Sequence, residues 1–230
     1  MTKNHMKARA APRTWNIARK ERAFTTRPNP GSQRLELTLP LALVLRSMGV
    51  GSTKKELNFI LRASPVLVNG ARRWDLRFGV GFMDTISIPE AKQFAVVSLD
   101  SQGRLIVEST TETLAGTKLA QVRGISTVTG GKQQLSLTDG RTLIVTLKEA
   151  KQYTQGTTVA VHVPKGTIAS VHPVALKAHV ILTSGKHRGK RGTIDSLDGD
   201  SVTVTTPTGP VNTKAAFAYV LAKGVAGGVQ

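Results

Sequence analysis

The chain has 230 residues, with 32 Lys and Arg against 14 Asp and Glu, and its formal net charge is +18 at pH 7. A surplus of this size indicates a polyanionic partner, and the phosphate backbone of a nucleic acid is the usual one. A membrane surface is the weaker alternative, because the basic residues lie mostly in irregular stretches containing Pro and Gly and not in an amphipathic helix. The absence of Cys excludes disulfides and thiolate metal sites.

Two further features of the composition narrow the kind of partner. Hydrophobic residues make up 40% of the chain, which is enough to build folded cores, so the charge decorates domains and does not signal global disorder. Aromatic residues make up only 4%. Because sequence-tolerant binding of single strands depends on stacking bases against aromatic rings, this composition favours recognition of the backbone and shape of folded RNA.

Residues 1–36 form a strongly basic segment in which several Pro residues and Gly31 interrupt any long helix. We predict an extended N-terminal arm that becomes ordered only when it docks and that contributes few residues to a core. A solvated tail is the alternative, but Trp15 and Phe24 favour docking. Removal of residues 1–34 should then weaken assembly without unfolding the rest of the chain.

Residues 37–93 have the pattern of a compact unit with the order helix, helix, hairpin, strand. Apolar residues recur at helical spacing from Leu41, and a second helix is expected to begin after Thr53, with Glu56 completing a capping box. Asn69-Gly70 is the typical sequence of a tight hairpin turn. The helical run ends before Pro65.

Residues 94–171 alternate short β-like runs with turn signals, which predicts a β-rich central domain. A smaller β unit follows over residues 172–223, and a disordered tail is expected over 224–230. The predicted class is therefore an α+β multidomain protein with a basic arm, an α/β unit, a central β domain and a C-terminal β-barrel.

The most specific local signal is the loop between the predicted strands 180–183 and 192–196. Gly185, Gly189 and Gly192 permit tight turns there, and four basic side chains lie between them. This spacing, with Ile194, resembles the KOW motif, the core of a small SH-three-type barrel in ribosomal proteins and transcription elongation factors. The resemblance implies contact with a nucleic-acid backbone, whereas a merely solvated basic hairpin remains the alternative.

The unit at 37–93 resembles the alpha-L type RNA-binding fold, in which a basic helix start and the turn before the hairpin face RNA. Two departures from that pattern are Ser64-Pro65, where a His-Gly turn is common, and Met83, where Gly is usual. The arm carries His5-Met6-Lys7-Ala8-Arg9 and Arg27-Pro28-Asn29-Pro30-Gly31, and Gly79 to Asp84 follows in the unit. With these segments in order, the whole chain resembles the S-four-e family of small-subunit ribosomal proteins of archaea and eukaryotes.

The resemblance implies a non-enzymatic, structural role in the small ribosomal subunit in the cytoplasm. The expected partners are small-subunit ribosomal RNA and neighbouring ribosomal proteins, with no membrane, cofactor, metal or small-molecule substrate. Charge and motif position select candidate RNA contacts in the arm, the alpha-L unit and the KOW loop. They are Lys3, His5, Lys7, Arg9, Arg13, Trp15, Arg19, Lys20, Arg22, Arg27, Arg34, Lys54, Lys55, Arg62, Arg72, Arg73, Arg77, Lys186, His187, Arg188, Lys190 and Arg191.

Two other function classes compete with this interpretation. A transcription or RNA-processing factor could use the same KOW barrel, and it would associate reversibly with its particle. A pseudouridine synthase also carries an alpha-L unit, and Gly103-Arg104-Leu105 matches the triplet that precedes its catalytic Asp, but Ile106 stands where the Asp is required. The five histidines show no familiar metal-ligand spacing.

Overall fold

The computed structural model describes residues 5–222, without the side chain of Lys148. Lys3 and the predicted disordered tail at 224–230 therefore lie outside the described residues. Within residues 5–222 the strands form three five-stranded sheets and two two-stranded pairs, all with antiparallel neighbours. The helices are short, so the protein is β-rich, and the predicted α+β class is dominated by its β component.

The N-terminal arm is packed into the protein, unlike the independent arm that the sequence predicts. Its two short strands, β1 (Met6–Lys7) and β2 (Phe24–Thr25), pair with each other. Trp15 forms an isolated bridge with Leu105 and is 2% exposed, and its indole N–H donates to the backbone carbonyl of Leu35 at 3.4 Å. Met6 and Trp15 belong to the main apolar core.

This packing corrects two sequence-based expectations. Trp15 is buried and cannot be reached by RNA, because its ring faces the core and its one polar atom is used inside the chain. The arm also contributes buried side chains, so its removal would expose part of the main core. Trp15 was thus a signal of intramolecular packing, which the sequence alone did not distinguish from docking on RNA, whereas Phe24 is 57% exposed.

The first folded unit contains two helices, a hairpin and a closing strand in that order, together with two short strands that the sequence did not predict. Its elements are β3 (Thr38–Pro40), α1 (Leu41–Ser47), α2 (Lys54–Ala63), β4 (Leu67–Val68), β5 (Ala71–Arg72), β6 (Gly79–Gly81) and β7 (Thr85–Ile88). The two strands that the sequence did not predict, β3 and β6, pair with each other. The capping box of α2 is present, since the Glu56 amide donates to Thr53 Oγ1 at 3.2 Å and the Thr53 amide donates to Glu56 Oε2 at 3.2 Å. Asn69 and Gly70 have φ values of 51° and 73°, as a type I′ turn between β4 and β5 requires.

Met83 explains one departure from the alpha-L pattern. Its φ is 61°, in the left-handed region that favours Gly, and its side chain is buried in the main core. The backbone geometry that favours Gly at this position is therefore kept here with a large apolar residue in its place.

The sheet of the first unit continues past residue 93, where the sequence predicts a domain boundary. Strands β8 (Gln93–Leu99) and β9 (Leu105–Ser109) extend it in the order β5-β4-β7-β8-β9. Pro89 to Lys92 form a tight connection between β7 and β8, with the Lys92 amide donating to the Pro89 carbonyl. Pro89 therefore lies in a hairpin turn within one sheet, and the sheet ends at Ser109.

The central region forms a second sheet with the order β12-β11-β10-β13-β14. Its elements are α3 (Glu112–Ala115), β10 (Thr117–Val128), β11 (Lys132–Leu137), β12 (Thr142–Val145), α4 (Leu147–Ala150), β13 (Thr158–His162) and β14 (Ile168–His172). The β-like runs that the sequence shows at 134–137, 143–147 and 157–163 overlap β11 to β13, and no such run was identified over β10 or β14. Strand β10 has 12 residues, yet Lys118 and Gln121 interrupt its apolar pattern at positions that are buried.

The last unit is a third sheet with the order β18-β17-β16-β15-β19 and its own apolar cluster around Val180, Ile194 and Val204. Its strands are β15 (His179–Leu182), β16 (Arg191–Asp198), β17 (Ser201–Thr206), β18 (Gly209–Lys214) and β19 (Ala218–Val220). One face of this unit joins the main core through Ile181 and Tyr219. The three sheets therefore meet at one apolar junction.

Candidate nucleic-acid interface

The loop that resembles a KOW motif connects β15 to β16 and is held against the first unit. Arg188 Nη2 donates to Glu36 Oε2 at 3.0 Å. Arg191 Nη2 donates to both Ser98 Oγ and Glu108 Oε1, each at 3.0 Å. Two of the cations predicted to contact RNA are thus paired with carboxylates of other elements of the same chain.

Gly189 fixes the position of this loop. It is buried with a φ of 86°, and a Cβ atom built on it would lie 1.9 Å from the carbonyl oxygen of Asp100 and 2.6 Å from the amide nitrogen of Gly103. Only a residue without a side chain allows this close approach of two backbones. The glycine spacing of the motif is therefore required for packing between units as well as for the turn.

A buried ionic centre lies at the junction of the sheets. Lys118 on β10 is 2% exposed, and its Nζ lies 2.5 Å from Asp84 Oδ1 and 2.8 Å from Asp139 Oδ2. Asp84 also accepts from the Gly81 amide at 2.7 Å. Burial raises the pKa of the nearby Tyr219 phenol well above its usual value, and the charges of Asp139 and Asp84 raise this pKa further. This centre joins side chains from the first unit, the central sheet and the last unit.

An open basic cleft, which we call the N-terminal cleft, lies between the arm and the first unit and has a volume of about 740 Å³. Its lining contains five cationic side chains and the acidic residues Glu21 and Asp75. The cations are Arg22, Arg27, Arg46, Lys54 and Arg77. Asp75 is used within the chain, since it accepts from the Arg77 amide at 2.8 Å and from Asn29 Nδ2 at 2.6 Å. The cleft is thus a site of net positive charge on a packed scaffold.

The side chains predicted to contact RNA differ in their exposure to solvent. Fourteen described residues of the predicted set are exposed, namely His5, Lys7, Arg9, Arg13, Lys20, Arg22, Arg27, Arg34, Lys54, Lys55, Arg62, Arg72, Lys186 and Arg191. The half-buried ones are Arg19, Arg73, Arg77, His187, Arg188 and Lys190. The exposed residues of this set come mainly from the arm and from α2 to β5.

Some half-buried cations have structural partners. Arg19 donates to the carbonyls of Ala11 at 2.8 Å and Pro12 at 2.6 Å, which fixes the path of the arm. The guanidinium of Arg73 lies 4.2 Å from the centroid of the Phe78 ring. Lys190 Nζ donates to Thr208 Oγ1 at 2.8 Å. These interactions give the cations defined positions.

The predicted set of RNA contacts omits three residues that line the N-terminal cleft, although Phe24 was expected to favour docking of the arm. Arg46 lies on α1 away from the apolar stripe, and that position could have been identified from its helical spacing. Phe24 and Trp74 line the same cleft and are 57% and 60% exposed. Nothing in the sequence shows that these two aromatic rings share one cleft, because that proximity depends on the packing of the arm.

Within residues 5–222, no helix is long and apolar enough to span a bilayer. In the same part of the chain, no group of three or more His, Asp or Glu residues is placed to hold a metal ion.

A basic β-rich scaffold with accessible cations is characteristic of RNA-binding ribosomal proteins, and comparison with known proteins specifies the class. The profile described as "Ribosomal family S4e" matches residues 91–168, and the "RS4NT (NUC023) domain" profile matches residues 2–32. The chain is 34% identical to the small ribosomal subunit protein eS4 of Methanosphaera stadtmanae, over 96% of this chain and 92% of that protein. It is also 34% identical to eS4 of Methanocella arvoryzae, over 97% of this chain and 96% of that protein.

A solved structure agrees with these sequence matches. The crystal structure of the 30S ribosomal protein S4e from Thermoplasma acidophilum matches with a TM-score of 0.66 and 27% identity, covering 82% of this chain and 95% of that one. The class is thus that of small-subunit ribosomal proteins. The chain belongs to the ribosomal S4e family, which confirms the family expected from the arm and the two motifs.

Proposed function

We propose that the protein is a structural constituent of the small ribosomal subunit that binds small-subunit ribosomal RNA and so supports translation. Its site of action is then the ribosome in the cytoplasm, with neighbouring ribosomal proteins as further partners, and its role is not enzymatic. The observation that carries the proposal is the concentration of exposed cations on the arm and on α2 to β5, which are held in place by a shared core.

The proposed contacts are the exposed cations of these segments, together with Lys186 and the half-buried His187 of the KOW loop. Three cations of the KOW loop contact phosphate only by exchanging an intramolecular partner, namely Arg188, Lys190 and Arg191. Three other cations mainly position their neighbours, namely Arg19, Arg73 and Arg77. Ion pairs as accessible as those of Arg188 and Arg191 contribute only about 0–1 kcal/mol, so a phosphate can replace either carboxylate.

Salt dependence of binding tests the proposal. Each neutralised phosphate releases condensed counterions, so contact with about eight phosphates gives a log–log slope of roughly seven. The measurement is the affinity of the full chain for a small-subunit ribosomal RNA fragment over a range of salt concentrations. A flat response, or no binding at physiological ionic strength, would contradict the proposal.

Fractionation of cell extract separates this function from that of a transcription or processing factor. A structural constituent stays with small subunits through a high-salt wash, because its buried contacts are not exchanged. A factor that associates reversibly is released. Release of this protein under conditions that retain other small-subunit proteins would favour the second function.

A further inference from the structure

Trp74 is an unusually placed aromatic residue. The chain has only ten Phe, Trp and Tyr residues, yet this large ring is 60% exposed beside the N-terminal cleft. The guanidinium carbon of Arg72 lies 3.7 Å from the centroid of its ring. Since Arg72 covers one face, a partner in the cleft has the opposite face and the edges of the ring to contact.

The stacking of Arg72 on Trp74 gives the exposed ring a fixed environment. A guanidinium over an indole face is attracted by the negative charge of that face. A planar group that stacks on the opposite face would complete a three-layer arrangement. The flat apolar surface of a nucleobase fits this position, and every base has such a face.

The cations of the cleft are placed to bind the phosphates beside that base. Arg22, Arg46 and Lys54 line the same cleft as Trp74 and come from the arm, α1 and the start of α2. Phe24, which is 57% exposed, lies on the arm side of the cleft. The volume of about 740 Å³ is within the range of pockets that hold a small organic group.

We propose that the N-terminal cleft binds an unpaired nucleotide of RNA, with its base stacked on Trp74 opposite Arg72 and its flanking phosphates paired with Arg22, Arg46 and Lys54. This inference rests on the proposed RNA-binding function and specifies one element of it. A base inside a duplex has both faces covered by its neighbours, so the cleft selects a bulged, looped or terminal nucleotide. Aromatic residues are few in the chain as a whole, but two of them, Phe24 and Trp74, line this one cleft.

Fluorine NMR on the full chain labelled with fluorotryptophan tests this directly. The protein has two Trp residues, and Trp15, which is buried in the core, serves as an internal control for a global change. Three probes of about eight nucleotides are compared: a single strand, the same strand in a duplex, and an abasic strand with equal phosphates. Saturating single strand is expected to shift the Trp74 resonance and leave Trp15 unchanged, while the other two shift neither.

Affinity measurements on variants provide the second readout. Trp74→Ala should weaken single-strand binding roughly 5- to 150-fold, the range for loss of one base stack, and leave abasic-strand affinity unchanged. Trp74→Phe should retain most of the affinity. Phe59→Ala is the matched control, because Phe59 is a 72% exposed aromatic residue outside the lining of the cleft, and it should have no effect.

The outcomes distinguish this inference from the proposed function. Binding of all three probes at saturation without a Trp74 shift would overturn the stacking site and leave RNA binding intact. An equal loss of single-strand and abasic affinity in Trp74→Ala, or displacement of the single strand by an acidic peptide at equal concentration, would also overturn it. Failure of every RNA, including the ribosomal fragment, to bind at physiological ionic strength would instead refute the proposed function.

Discussion

The cations at the junction of the sheets and the cations of the N-terminal cleft have the same chemistry but different surroundings. Lys118, Arg188 and Arg191 each lie within 3.0 Å of a carboxylate from another part of the chain. Arg22 and Lys54 line an open cleft in which Asp75 is already used by backbone and Asn29. Carboxylates thus pair with cations where the units meet, whereas in the cleft five cations outnumber the two acidic residues, Glu21 and Asp75.

This difference shows that a basic motif can serve two purposes. The KOW-like loop has the most specific RNA-binding resemblance in the sequence, yet its Arg188 and Arg191 contact carboxylates and its Gly189 packs against another backbone. The cleft has no such motif. Accessible charge therefore depends on which carboxylates the fold brings close, and each of the following predictions tests one side of this comparison.

The largest expected effect is on the junction. Lys118→Met removes the cation between Asp84 and Asp139 and leaves Asp84 with the Gly81 amide and Asp139 with Arg141 Nε at 3.5 Å. Removing one partner of a buried ion pair destabilises a protein by about 3–5 kcal/mol. Guanidinium denaturation measures the change. The control is Lys132→Met on the neighbouring strand, where the side chain is exposed and the loss should stay within about 0.5 kcal/mol. Equal losses would show that the junction does not depend on its buried cation.

The next effect concerns the glycines of the KOW-like loop. Gly185 and Gly189 both have positive φ, but a Cβ at Gly185 meets only the Phe217 ring at 3.6 Å. Gly185→Ala should cost about 1–2 kcal/mol for the left-handed conformation alone. Gly189→Ala should cost about 1–3 kcal/mol more, because its methyl group overlaps the backbone of Asp100. Equal unfolding free energies of the two variants would contradict the packing role of Gly189.

Substitutions in the N-terminal cleft are expected to change the affinity for RNA and not the stability of the fold. Arg22→Ala should lower the salt-dependence slope of RNA binding by about 0.7–0.9, the contribution of one phosphate contact, while the unfolding free energy changes by less than about 0.5 kcal/mol. Arg191→Ala should change the slope less, because its guanidinium is paired with Glu108. A larger change in slope for Arg191→Ala would reverse the comparison between the two regions.

Local signals in the sequence predicted the first unit well. The capping box of Thr53 and Glu56 and the turn at Asn69-Gly70 depend on residues only a few positions apart, so their chemistry can be read without the fold. The family resemblance also depended on short contiguous segments. For these features, all the interacting groups lie within a few residues of one another along the chain.

The features that sequence reasoning missed depend on distant partners. Strand β10 has Lys118 at a buried position, which contradicts an apolar pattern unless Asp84 and Asp139 are known to converge there. Trp15 is likewise buried because the arm packs against Leu105. The N-terminal cleft depends on that same packing, so its position could not be derived before the arm was placed.

The smallest effect is the response of the junction to high pH. Because the folded-state pKa of Tyr219 is raised above its usual value near 10, the unfolded chain loses its phenolic proton first, and the contribution to stability falls as the pH rises above about 10. Relative to Tyr219→Phe, the wild-type protein should lose stability as the pH rises above about 10 and show no difference in pH dependence below about pH 9. Denaturation of both proteins at each pH gives the difference, and other titrating groups cancel.

Tyr153 provides the matched control for this measurement. Its pKa is also raised, first by burial and then by the charge of Glu149, but the Tyr219 phenol is the one raised well above its usual value. Tyr153→Phe should therefore remove a weaker pH dependence than Tyr219→Phe does. If the two substitutions gave equal changes, burial and the carboxylates at the junction would together not raise the pKa of Tyr219 beyond that of Tyr153.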